Sequence, residues 1–192
     1  MVGTVRQLES KQVFVKILEL IMTHPLVTQL KFARGEWRRA LKDISEADAR
    51  LRFEPMNCIS WMVGHLAWHE HLYWLRFAQG KDIAPHLNNL VGTGKPASSP
   101  PFKEMWSDWR QITAASDEFL NTLTGAMLLG KLEYKGRPVR ETTGTMLQRI
   151  IYHYWFHIGE AMAIRQLLGH PELPEFVGDI SGKAPYRIEK SD

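Results

Sequence analysis

Apolar positions recur with a helical period in four long stretches of the chain and hardly anywhere with the two-residue alternation of a half-buried strand. From about Leu26 to Ile44, the spacing of Leu30, Ala33, Trp37, Ala40, Leu41 and Ile44 predicts a first bundle helix, with Pro25 breaking or bending the path before it. A second should begin near Asn57, a good N-cap after Pro55, and run through Trp61, Val63, Leu66, Trp68, Leu72 and Leu75 to Gly80. The third extends from about Phe102 to Leu123, with Trp106, Trp109, Ile112 and Phe119 among its apolar positions. Thr142 or Thr143 can cap the fourth, which continues through Met146, Ile150, His153, His157 and Ile164 until Gly169, with Pro171 beyond, ends it.

The remaining segments connect these helices. Residues 5–22 can form an N-terminal helical extension, and the tail after Pro174 reads as extended and packed on the body or a neighbour. Pro, Gly and a Ser98-Ser99 pair mark the stretch from about Lys81 to Pro101 as a long connection that permits a crossover. Leu132 to Val139, with Gly136 and Pro138 near its turn, is either a small hairpin or an irregular loop. The fold class is therefore all-α. It is a four-helix bundle with a long crossover connection, one domain over residues 1–192 with its bundle core at about 26–170.

Composition narrows the function more than the fold. A formal charge of +3, with Lys and Arg scattered among Asp and Glu, gives no basic stripe for nucleic acid. Lys16 and Glu19 interrupt the most apolar run, residues 13–22, which is too short for a membrane span and lacks a following cleavage site. The single cysteine, Cys58, excludes an intrachain disulfide and a Cys-rich zinc module and fits the reducing cytoplasm. It reads as small packing material rather than as a nucleophile.

Histidine changes the picture. His65-Leu-Ala-Trp-His69 and His153-Tyr-Trp-Phe-His157 are both i,i+4 pairs, and each can aim two imidazoles from one helical face at a common point. With eight His in 192 residues, random placement yields roughly a third of one such pair. Neutral imidazoles suit borderline divalent ions, zinc or nickel first and iron or cobalt after them. The pairs alone leave open which three or four nitrogens would ligate. His71 points away from His69, and His24, His86 and His170 fall at helix ends or in loops. Neither pair is His-Glu-x-x-His, the Glu-x-x-His pairs of diiron bundles are missing, and no Cys-x-x-Cys-His attaches a haem.

Asn57-Cys58-Ile59-Ser60-Trp61-Met62-Val63-Gly64-His65-Leu66 opening one helix, with His153-x-x-x-His157-x-Gly159-Glu160 in the last, resembles the DinB-like superfamily over about residues 26–170. The resemblance implies a four-helix bundle, often a homodimer, in which three His bind a divalent metal; carried onto this chain they are His65, His153 and His157. His69 then becomes a neighbour in the pocket or a group behind a ligand, with a four-His site as the alternative. Glu160 stands where the family commonly shows Gln, and could orient a ligand His, relay a proton or face solvent. The activities known in the family imply metal-assisted chemistry with a low-molecular-weight thiol, by S-transfer or isomerisation. Arg149, one turn before His153, could meet an anionic thiol cofactor or substrate, or serve as a surface Arg. The expected function is a divalent-metal-dependent enzyme that activates a thiol or water against a small-molecule electrophile. A non-catalytic metal-binding or stress-response bundle is the alternative.

Overall fold

The computed structural model describes residues 23–188, so the helical extension expected over 5–22 lies outside the described residues. Four long helices carry the fold: α1 (Pro25–Ala40), α3 (Ile59–Glu70), α5 (Phe102–Leu120) and α7 (Thr143–Leu167). Short helices α2 (Glu46–Arg50), α4 (Leu87–Leu90), α6 (Gly125–Leu129) and α8 (Ile180–Lys183) fill the connections. A hairpin of β1 (Glu133–Tyr134) and β2 (Arg137–Pro138) precedes α7. The architecture is all-α with helical bundle packing: α3 lies along α5, α1 pairs with α7, and α3 touches α7. Among the described residues no helix is long and apolar enough to cross a membrane.

Local chemistry explains where the helices start and stop. Pro25 occupies the first turn of α1, where a missing N–H is harmless, and the His24 ring accepts the Leu26 N–H at 3.1 Å. Cys58, not the expected Asn57, caps α3: its backbone is extended and its Sγ accepts the Trp61 N–H at 3.4 Å. Thr142 Oγ1 caps α7 by accepting from Thr145 N, and Gly169 at φ +72° stops the chain from continuing as helix. The hairpin reading of 132–139 holds, because Lys135 (φ 54°) and Gly136 (φ 72°) form a two-residue turn with both residues left-handed.

Beyond Glu70, α3 continues as a π-helical segment, His71–Phe77, that the apolar periodicity does not foretell. In an α-helix a row of residues four apart drifts roughly 40° around the axis at each step. Wider i→i+5 turns correct that drift, and the rings of Trp61, His65, His69, Tyr73 and Phe77 stack in succession along one face.

The connection after this segment is pinned to α3. His71, buried, accepts the backbone N–H of Ile83 at its Nε2, while Ser60 Oγ donates to the Pro100 carbonyl at 2.7 Å. Gly64 lets the connection approach: a Cβ there would lie 2.5 Å from Met105 Sδ and 3.2 Å from a Val91 methyl. The tail is less extended than expected, since it includes α8. It packs on α1, with Gln29 donating to the Ala184 carbonyl and Gly178 N–H donating to Glu36.

A polar network crosses the core and takes one or more residues from each long helix. Arg34 of α1 forms a bidentate pair with Glu70 of α3 and donates to Asp117 of α5 at 2.6 Å. Tyr154 of α7 donates to Glu70 at 2.6 Å and accepts the Trp109 indole N–H at 2.7 Å. Glu70 and Tyr154 have no solvent exposure. Burial opposes the Arg34 charge, but Glu70 beside it more than compensates and holds its pKa above the usual value.

Candidate metal centre

Where α3 meets α7, one residue before Glu70 on one helix and one before Tyr154 on the other, four histidines face each other. His65 and His69 come from α3, His153 and His157 from α7. Ring centroids lie 5.0 Å apart for His65 and His153, 5.6 Å for His65 and His157, and 4.5 Å for His153 and His157. One potential ligand atom from each of His65, His153 and His157 falls within 4.8 Å of the others. Among the described residues no other group of three His, Cys, Asp or Glu side chains comes as close.

Each of these three rings is held through Nδ1. His65 Nδ1 donates to the Val91 carbonyl at 2.7 Å, His157 Nδ1 donates to Glu160 Oε2 at 2.7 Å, and His153 Nδ1 meets His69 Nδ1 at 2.8 Å. Such bonds fix the tautomer and direct the other nitrogen's lone pair, which is how ligand imidazoles are oriented in metal sites. The fit to a cation is clearest at His157, whose Nε2 is buried without any hydrogen-bond partner. A buried polar atom left unpaired is costly, and a bound ion supplies the missing partner.

Electrostatics favour the ligand form. Burial pushes His65 down to about 4, with the Val91 carbonyl opposing and His157 assisting the shift. Burial, then His157, His69, His65 and Arg149, push His153 to about 2, and burial followed by His65, His157 and Arg149 takes His69 to about 3. These imidazoles are neutral at neutral pH and have lone pairs to offer. Aromatic rings pack the cluster: Trp61 stacks on His65 at 4.4 Å, and Trp68 stacks on His69 at 5.0 Å.

The cluster opens on one side into a cavity of about 580 Å³ lined by His65, His69 and His153 and walled by Arg149, Tyr152 and Phe156. A volume of this order suits a small molecule. Arg149 does line this space, but its guanidinium also makes a bidentate pair with Glu141, which raises its own pKa and lowers that of Glu141.

The other candidate residues are resolved by contacts. Glu160 orients His157. Cys58 is wholly buried and spent on the α3 cap. His86 bonds Asp108, and His170 accepts from Arg165. Sequence reasoning missed the Val91 carbonyl, which has no side-chain signature, and the role of Gly64 in admitting it.

The profile of the DinB superfamily matches residues 29–161, a span that runs from α1 into α7 and contains all four clustered histidines. The chain belongs to the DinB superfamily. No curated protein matches it. Gly159, two residues after His157, meets nothing within 4 Å, so no close approach inside the protein requires a glycine there.

Proposed function

We propose that this DinB-superfamily protein binds one divalent metal ion through His65, His153 and His157 and is an enzyme that activates a thiol, or a water, against a small electrophile. The observation that carries the reading is the unpartnered, buried Nε2 of His157 beside two further imidazoles whose Nδ1 atoms are already engaged. Three neutral nitrogens favour zinc or nickel, then iron or cobalt. Such an ion, when bound, supplies Lewis acidity that makes a thiol or water more acidic and a better nucleophile at neutral pH. Val91, His69 and Glu160 hold the three rings, and Tyr152, Phe156 and the Glu141-paired Arg149 border the cavity. Thiol transfer leads hydrolysis, on the family resemblance, and a low-molecular-weight thiol is the co-substrate. The cavity beside the cluster favours an enzyme over a non-catalytic metal-binding bundle.

A homodimer in the cytoplasm completes the proposal. Tyr152, Phe156, Gly159, Ala163 and Leu167 form an exposed stripe along α7, with Tyr152 67% and Phe156 61% accessible. An apolar stripe that includes glycine on one helical face supports close packing of a second copy, which would also cover the cavity mouth.

Elemental analysis of the purified full chain beside His153→Ala, followed by thiol-transfer assays on the loaded protein, tests the reading. One equivalent of metal in the wild type and a loss of at least roughly a hundredfold in affinity in the variant is expected, since three ligands become two. A wild type that takes up no divalent ion under reconstitution ends the metalloenzyme reading. Equal binding by the variant moves the site elsewhere. Sedimentation of the same preparation reads the dimer.

A further inference from the structure

His69 is left without a task by a three-ligand site, yet it touches a ligand and faces the cavity. A single hydrogen bond, Nδ1 to Nδ1 at 2.8 Å, joins it to His153, and one of the two nitrogens must carry the proton. Because Nδ1 of His153 faces His69, ligation by His153 falls to its Nε2, which must then offer a lone pair. A neutral imidazole has one N–H, so His153 carries its proton on Nδ1 and donates it to His69. His69 Nδ1 is therefore the acceptor, and the one proton of a neutral His69 sits on Nε2.

That Nε2 has no hydrogen-bond partner among the described residues, and His69 lines the cavity. The ring cannot easily turn to hide it, because Trp68 stacks on it at 5.0 Å and 16° while Tyr73 stacks at 5.3 Å and 24°. Arg149 borders the same cavity with its guanidinium paired to Glu141, so the His69 N–H rather than a free charge is what selects an oxygen there.

We infer that His69 is a hydrogen-bond donor to an oxygen of the substrate, so that the cavity takes a compound bearing a carbonyl or anionic oxygen next to the electrophilic centre. The inference rests on the metal reading above. It gives the fourth histidine the part of an oxyanion-stabilising donor, preorganised by the proton arrangement that ligation imposes on His153.

The decisive measurement is the histidine tautomer in the zinc-loaded full chain, read from two-bond proton–nitrogen NMR correlations with nitrogen-15 labelling. Nε2–H on His69 and Nδ1–H on His153 are expected. Nδ1–H on His69 in the loaded protein overturns the inference while leaving the metal site standing, whereas failure of the wild type to take up zinc removes both. Two variants read the donor with acetohydroxamate as probe. His69→Asn keeps an acceptor near Nδ1 but no donor near Nε2, so zinc affinity should stay within about threefold while probe affinity falls roughly tenfold. His69→Gln has the opposite geometry and should keep probe affinity near that of the wild type while zinc affinity falls. Unchanged probe affinity in His69→Asn would overturn the donor role.

Discussion

The contact between α3 and α7 has two sides, and adjacent residues serve opposite ends. On the core side, Glu70 and Tyr154 join a network in which the carboxylate receives Arg34 and the Tyr154 hydroxyl, and the hydroxyl also receives Trp109. On the cavity side, His69 and His153 belong to a cluster with His157 Nε2 unpaired and with space beside it. A satisfied buried network specifies how helices sit, whereas an unsatisfied one beside a cavity is ready to bind. The difference lies in what each polar atom already has for a partner, since both sides are buried and polar.

The comparison can be broken from either side. Glu70→Ala should have the largest effect, a loss of about 3–5 kcal/mol in urea unfolding, because Arg34 is left buried with only Asp117 at 2.6 Å as its partner. A loss under about 1 kcal/mol would mean that the network does not hold the bundle.

Acid should act on the cavity side. The unfolded chain has His65, His69 and His153 near 6.5, while the folded chain holds them at about 4, 3 and 2. About one pH unit or more above 6.5 these groups are neutral in both states. Below that the unfolded chain takes up protons that the folded one refuses, so stability is lost as pH falls and the loss levels only near pH 2. Unfolding of the metal-free protein at pH 7.5, 6.5 and 5.5 should show a loss of about 1 kcal/mol over the first interval and about 3 kcal/mol over the second. A flat profile would place the cluster in contact with bulk water.

Glu160→Ala should leave folding nearly intact and weaken metal affinity about 10- to 100-fold, because His157 Nδ1 loses the carboxylate that orients it. Competition with a chelator measures this, and unchanged affinity would make the contact incidental. The smallest effect is expected from Tyr154→Phe. Removing one hydroxyl that bridges Trp109 and Glu70 should cost about 1–2 kcal/mol, read by thermal unfolding.

Much of the fold was legible because helical periodicity and end signals are local. Thr142, Gly169 and the apolar spacing marked α7 closely, whereas the start of α3 was misread by one residue because a cysteine rarely caps. The π-helical segment carries no comparable signal. At the site, i,i+4 spacing paired the histidines within each helix, and the family resemblance singled out three of them. Nothing local could pair Arg34 with Glu70, 36 residues away, or bring the Val91 carbonyl to His65 across 26 residues.

By itself, then, the sequence determined four amphipathic helices and two pairs of imidazoles, each pair on one helical face, since both properties repeat within a few residues. Only tertiary structure decided that the two faces meet and that the rings of His65, His153 and His157 are each held through Nδ1 by an acceptor from another turn or another segment. It also separated His69 from the three-nitrogen cluster by turning it toward His153 and the cavity. The physical reason is range: periodicity is set by the backbone of one helix, whereas the direction of a lone pair is set by whatever packs behind the ring.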